Sequence, residues 1–325
     1  MPFEDAQWVW LNGKIIPWKD ATVHVSAHAL HYGSGVFEGM RCYETSEGPA
    51  IFRLGSHLER FFASAAAHDL RIGYTRKELA EAVSEVIRRN GFRSCYLRPI
   101  CYVGSGVLSV HPKTSPIEVA VLAWPAETQF GREALQRGVR VTVSPWVRFH
   151  SSMMPTTAKA CGQYLNSVLA AREAACRGFD EAVLLDTNGH ISEGSGENLF
   201  LVRGGRLLTN DERDSILLGI TRDSVIRIAR DRGYPVAIHT LQVDDLLAAD
   251  EVFFTGTAAE VTPIREVDGK AIGSGARGPV TAEIQEAFFA AATGRDGRYR
   301  SWLHHVAPAT RTSGTRKASR KRSPR

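Results

Sequence analysis

Lys159 is the residue on which chemistry can be built. Its neighbours Ala158, Ala160, Cys161 and Gly162 are small, so its amine can come close to a ligand. In a dry site a lysine amine loses its proton, attacks carbonyls and forms Schiff bases. A lone lysine is more often a surface charge at a helix start, so the surrounding residues decide. Tyr164 follows five positions later and Glu193 thirty-four positions after Lys159. A carboxylate can keep a ring nitrogen protonated, and a phenol can hydrogen-bond a ring oxygen. Lysine, phenol and acid together fit a site for pyridoxal phosphate.

A phosphate needs donors. Gly219-Ile220-Thr221 opens a helix and offers free N–H groups and a hydroxyl at a positive dipole end. Gly256-Thr257 follows a strand directly and offers another small turn. Arg60, early on a helix, can add a bidentate charge. Taken singly these signals are weak, since Thr221 is commonly just a cap and Arg60 commonly a solvated charge.

Three other patterns carry less. His24, His28 and His31 have a metal-like spacing, but the chemistry above uses an organic cofactor and no metal. Gly273 to Gly278 matches G-x-G-x-x-G without the βαβ unit that gives the pattern meaning, and reads as a loop before the last helix. Cys161 has no resolving cysteine nearby in sequence and reads as a small packing residue.

The elements that must position these residues are strands and helices mixed without strict alternation. Trp8 to Leu11 and Lys14 to Pro17 flank Asn12-Gly13 as a hairpin. Val36 to Tyr43 and Ala50 to Leu54 read as strands. Ser56-His57-Leu58-Glu59 and Thr75-Arg76-Lys77-Glu78 read as capping boxes, each starting a helix. Ser94 to Val103 and Ile117 to Trp124 are further strands. After a polar stretch, a helix from Gln163 to Arg177 is expected to turn Leu165, Val168 and Leu169 inward. Strands at Glu181 to Asp186, Asn198 to Val202, Arg206 to Leu208 and Glu251 to Thr255 follow. Helices begin near Thr221 and at Pro279.

Composition bounds the answer. The chain has 325 residues, enough for two domains. Its net charge of +5 belongs to the end: without the seven basic residues between Thr310 and Arg325 it becomes −2. A mildly acidic body argues against nucleic-acid binding. The basic tail reads as a solvated extension. Five cysteines without a C-x-x-C pair point to reduced thiols. No signal peptide or membrane-spanning run stands out, so a soluble, cytoplasmic protein is expected.

The stretches HALHYGSGVFEGMRCY, YLRP, PTTAKACGQYLNS, GHISEGSGENLF, LLGITRDSVI and DEVFFTGTAAEVTPI resemble the class IV (fold type IV) pyridoxal-phosphate aminotransferases. Within them the closest likeness is to the bacterial branched-chain amino-acid aminotransferases. The resemblance covers about Trp8 to Leu303. It implies an α/β protein with a small N-terminal α/β domain (1–125), a linker (126–136) and a larger cofactor-binding domain with a pseudo-barrel sheet (137–305). A disordered basic tail (306–325) follows. It implies transfer between L-leucine, L-isoleucine or L-valine and 2-oxoglutarate, in a homodimer or higher homo-oligomer. The alternative is another class IV enzyme, such as a D-amino-acid or (R)-amine transaminase or an aminodeoxychorismate lyase.

The resemblance also implies roles. Lys159 carries the cofactor and moves the proton. Glu193 meets the ring nitrogen and Tyr164 the ring oxygen, while Leu217 packs on the ring. Arg60, Gly219, Ile220, Thr221, Gly256 and Thr257 hold the phosphate. Tyr96 and the N–H groups of Thr257 and Ala258 receive the substrate α-carboxylate, and Arg98 the distal carboxylate of glutamate. Tyr32, Phe37, Gly39 and Val110 line the side-chain pocket, with Val110 reaching the partner's site. In one place the chain departs from the pattern: Ala126 and Gln129 stand where relatives carry a tryptophan and a tyrosine that cap the pocket, with Trp124 and Phe130 as candidates to compensate.

Overall fold

The computed structural model describes Phe3 and residues 5–307. The basic tail expected from residue 306 onward therefore falls, beyond residue 307, outside the described residues. Strands of alternating burial build an eight-stranded antiparallel sheet. Its order is Leu303–His305, Gly48–Phe52, Met40–Thr45, Cys95–Val103, Ile117–Trp124, Trp8–Leu11 and Lys14–Pro17, with Gly35–Phe37 also paired to Cys95–Val103. The central strand Cys95–Val103 explains the layering. Leu97, Cys101 and Val103 enter a core with Leu58, Phe61, Leu79, Val83 and Val86 of two helices, Leu54–Ala67 and Arg76–Asn90. Tyr96, Arg98 and Ile100 alternate to the opposite face, which faces a cavity.

A nine-stranded mixed sheet holds the rest. Its order is Ile191–Gly194, Glu181–Leu185, Val139–Val143, Glu260–Val267, Glu251–Gly256, Asn198–Arg203, Arg206–Thr209 and Val236–Ile238, with Lys270–Ala271 on the side of Glu260–Val267. Its central strands are apolar on both faces. Phe200, Val202 and Phe253 pack on the helices Ile220–Asp231 and Pro279–Ala292, and Leu199, Leu201 and Phe254 fill a second core opposite. Burial on both faces explains why these segments read as continuous apolar runs. Gly273 to Gly278 lies between the short strand Lys270–Ala271 and the last helix, as a loop. Among the described residues no helix is long and apolar enough to cross a membrane.

Three local expectations change. The strand expected at Val36 to Tyr43 is interrupted at Glu38 and Gly39. Glu38 still donates its N–H to the Pro99 carbonyl but turns its side chain into a buried charge cluster, and Gly39 lets Tyr96 approach. The second helix starts at Leu54, not at a capping box on Ser56. Arg53 takes the N-cap position with φ of 54°, and Ser56 Oγ accepts from Arg53 Nε at 3.2 Å. The Thr75/Glu78 capping box forms as read. In the helix Tyr164–Cys176, the buried residues are Ser167, Ala170 and Ala174. Leu165 and Val168, expected inward, are 65% and 48% exposed. Small residues let this helix lie close on Ala182 and Leu184, which leaves its larger apolar side chains outside.

Candidate active site

The cavity lies between the two sheets, with a volume of about 450 Å³. Lys159 is held through its backbone by the first part of the chain. Its N–H donates to Ser64 Oγ (2.9 Å) and its carbonyl accepts from Phe37 N (3.0 Å). Its Nζ pairs with no acid among the described residues and donates to Tyr164 Oη at 2.6 Å. The Phe37 ring packs 4.8 Å from that of Tyr164.

Glu193 sits on the cavity wall, buried. Oε1 pairs with Arg148 Nη2 at 2.8 Å, while Oε2 accepts from Asn198 Nδ2 (3.1 Å) and Leu217 N (3.0 Å). Burial pushes its carboxyl above the ordinary carboxylate value, against Arg148 and the Leu217 N–H. A cationic ring N–H at this position would add a further counter-charge.

Arg60 is built into a buried cluster. Nε and Nη2 donate to the two oxygens of Glu38 (2.6 and 3.0 Å), and Nη1 donates to the Leu218 carbonyl (2.9 Å). His57 Nδ1 lies 2.7 Å from the same carboxylate. Burial opposes the charge on Glu38, but Arg60 and His57 outweigh it and hold the carboxyl well below the usual range. Burial keeps the His57 ring below its ordinary value despite that bond, so the neutral ring donates. A guanidinium has five N–H donors, and two remain for an anion.

Those donors share the cavity with Ile220 and Thr221, at the start of a helix whose N-cap, Gly219, has no side-chain capping bond. A Cβ on Gly219 would lie 2.0 Å from Asn198 Oδ1, so only glycine fits there. The turn Gly256-Thr257-Ala258 lies on the same cavity, with the Thr257 and Ala258 N–H groups lacking a backbone acceptor among the described residues. A reactive amine, a buried acid for a ring nitrogen, a phenol and an N–H-lined anion cradle fit pyridoxal phosphate.

The substrate side is aromatic. A Cβ on Gly39 would lie 2.0 Å from Tyr96 Oη, so the glycine makes room for that phenol. The Arg98 guanidinium lies over Phe37 (4.6 Å), Tyr96 (5.5 Å) and Trp124 (5.9 Å). Its Nε is buried without a partner, and no carboxylate pairs with it among the described residues. Leu217 and Ala258 complete the lining, as does Cys161. Tyr32 and Val110 are absent from it and stand exposed. The histidines do not converge: His24 meets Ser26, His31 the Val25 carbonyl and His28 Ser34.

The departing loop is tied down differently at its two positions. Ala126 offers only its carbonyl, to Arg41. Gln129 reaches the cavity, and its Nε2 donates to Glu197 Oε1 (2.6 Å) and Glu181 Oε2 (3.4 Å). Neither Trp124 nor Phe130 lines the cavity: Trp124 packs behind Tyr96 and Phe130 stacks on Phe254. Burial and then the neighbouring Glu181 push the Glu197 carboxyl up to about 8. A raised acid stabilises the fold fully below its ordinary value of 4.5 and loses that contribution as pH rises toward 8. Thermal unfolding should therefore show wild type losing about 1–3 kcal/mol more than E197Q between pH 5 and pH 8.5. Equal losses in the two proteins would refute the shift.

Sequence reasoning missed Glu38, His57, Arg148, Asn198 and Glu197. Glu38, Asn198 and Glu197 lie inside the quoted motifs, so the signal was present. Arg148 lies in none.

A family model for amino-transferase class IV matches residues 35–267. A branched-chain-amino-acid aminotransferase of Pseudomonas aeruginosa is 44% identical over 294 residues, or 90% of this chain and 95% of the relative. The structure of a branched-chain amino acid aminotransferase of T.th. with pyridoxamine 5'-phosphate superposes with a TM-score of 0.90. It is 49% identical and covers 93% of this chain and 99% of that one. The same T.th. enzyme complexed with N-(5'-phosphopyridoxyl)-L-glutamate gives 0.89 at 48% identity, with the same coverage. A lysine, an acid and an anion cradle meeting between two sheets, and a family match over most of the folded chain, lead to one assignment: the chain belongs to the class IV aminotransferases.

Proposed function

We propose that the chain is a branched-chain amino-acid transaminase, exchanging an amino group between L-leucine, L-isoleucine or L-valine and 2-oxoglutarate in a ping-pong cycle. The observation that carries this reading is Arg98. Among the described residues it has no carboxylate partner; its guanidinium lies against the rings of Phe37, Tyr96 and Trp124, and it shares the cavity wall with Phe37, Tyr96 and Lys159, which suits both kinds of substrate. It pairs with the distal carboxylate of glutamate, and the aromatic faces receive a branched alkyl group. A relative carrying a phosphopyridoxyl-glutamate supports the acidic half of that pair.

Pyridoxal phosphate, when bound, supplies an aldehyde and a protonated ring that draws electrons from the substrate α-carbon. The protein does the rest. Arg60, Thr221, Thr257 and the N–H groups at Ile220 and Gly256 would hold the phosphate, and Glu193 would hold the ring nitrogen. Tyr96 and the N–H groups of Thr257 and Ala258 hold the α-carboxylate. With the cofactor bound, Lys159 Nζ would take and hold the substrate α-proton, with the Tyr164 hydroxyl keeping the amine in place.

The same reading makes the protein a homodimer or larger, working in the cytoplasm. Val25, Leu30, Leu108, Leu165 and Val168 are exposed apolar side chains that a second copy could cover. Tyr32 and Val110 belong to this exposed set, and a second copy brings them to the pocket.

R98M tests the reading. KM for glutamate and for 2-oxoglutarate should rise roughly 10²-fold, with kcat/KM for L-leucine within about threefold. Equal losses on both substrates would count against it, and so would faster turnover of D-alanine than of L-leucine by the wild type.

A further inference from the structure

Tyr32 and Val110 are 47% and 85% exposed, while His28 behind them is 2% exposed. The His28 ring stacks on Tyr32, with centroids 4.4 Å apart and planes at 29°. Its Nε2 lies 2.8 Å from the carbonyl oxygen of Ser109, the residue before Val110. Its Nδ1 lies 2.6 Å from Ser34 Oγ. A carbonyl only accepts, so Nε2 carries the hydrogen, and in the neutral ring Nδ1 accepts from the Ser34 hydroxyl. The backbone N–H of His28 also donates to Gly104 O at 3.0 Å, at the root of the loop that carries Val110.

One buried ring therefore joins the two side chains that leave the molecule. The tip of the loop has little else to hold it. Val107 N bonds Ser115 Oγ and Ser109 Oγ bonds the His111 carbonyl, both within the loop. Among the described residues, the His28 ring is the side chain from outside the loop that bonds the segment next to Val110. No other residue type supplies a flat face for Tyr32, a donor for Ser109 and an acceptor for Ser34 from one buried side chain. Phenylalanine offers only the face and glutamine only the bonds.

We propose that His28 is a positioning residue for the substrate pocket of the partner subunit, fixing Tyr32 and Val110 relative to each other before the subunits meet. The proposal rests on the reading that a second copy completes the pocket. Its role is exerted in trans: His28 of one chain governs substrate binding at Lys159 of the other.

Hybrid dimers test this. H28F homodimers should bind cofactor with unchanged absorbance, keep kcat within about threefold and raise KM for L-leucine about tenfold. In a co-expressed hybrid of an H28F chain with a K159A chain, the one site with Lys159 lies in the H28F chain. Its wall comes from the K159A chain, whose His28 is intact. KM should return to the wild-type value at half the turnover per dimer. A KM that stays raised in the hybrid places the effect within one chain and overturns the proposal, as does wild-type KM in the H28F homodimer. If H28F does not fold, H28Q, which keeps both bonds and loses the stack, takes its place with the same criteria. A parallel hybrid of V110D with K159A reports on the shared pocket alone. Rescue there without rescue of H28F overturns only the role of His28; no rescue in either, or a fully active monomer in sedimentation, overturns the shared pocket and the proposal with it.

Discussion

K159A is expected to lower turnover on L-leucine by on the order of 10⁴-fold or more and to remove the visible absorbance of bound cofactor. Among the described residues, Lys159 is the sole lysine on the cavity wall. The other cations there, Arg60, Arg98 and Arg148, stay charged and cannot act as nucleophile or base. No neighbour can substitute. The variant should still fold. The backbone bonds to Ser64 and Phe37 do not depend on the side chain, and the ammonium makes a single bond, to Tyr164. Melting temperature should therefore change by only about 2–4 °C, the equivalent of roughly 1 kcal/mol. Spectra and initial rates on the purified variant decide it. A retained absorbance together with retained turnover would remove Lys159 from its role.

E193Q should come second, lowering kcat by roughly 10²–10³-fold while the cofactor remains bound. The carboxylate receives three donors, from Arg148, Asn198 and the Leu217 backbone. An amide nitrogen must turn toward one of these donors, or toward the ring nitrogen, where it opposes another N–H. Either way the ring nitrogen loses the negative partner that keeps its proton, and with it the pull on the substrate's electrons. The proposed phosphate anchors, Arg60, Thr221 and Thr257, make no bond to Glu193, so binding should survive. A pre-steady-state measurement of α-proton removal, with deuterated L-leucine, tests the point. An unchanged rate of that step in E193Q would refute the role of Glu193.

How legible the site was depends on what each residue needs. Lys159 and Tyr164 are neighbours on one local turn, so five positions of sequence bring them together. Tyr96 and Arg98 are two apart on a strand, and alternation puts both on the cavity face. Glu38, His57 and Arg148 act through buried charge pairs, and such partners are chosen by the packed fold rather than by spacing. The inner face of the helix Tyr164–Cys176 was misread for a related reason. Periodicity shows that a helix has an apolar stripe but not whether its own chain covers it, and Leu165 and Val168 remain exposed. Ser56 looked like a cap because its neighbours fit the pattern. The chain enters the helix three residues earlier, through Arg53, which also bonds Asp223 and the Trp302 carbonyl.

The strand Leu303–His305 borders the first sheet and pairs with Gly48–Phe52. It therefore has a bearing on how the protein is born. A ribosome making roughly 5–20 residues per second needs about 12 to 50 s to travel between these two strands. Until then the backbone of Gly48–Phe52 has an unpaired edge, the kind of surface on which nascent chains stick to one another. Completion of the second sheet and its helices delivers the closing strand, so protection of the first half waits on synthesis of the second.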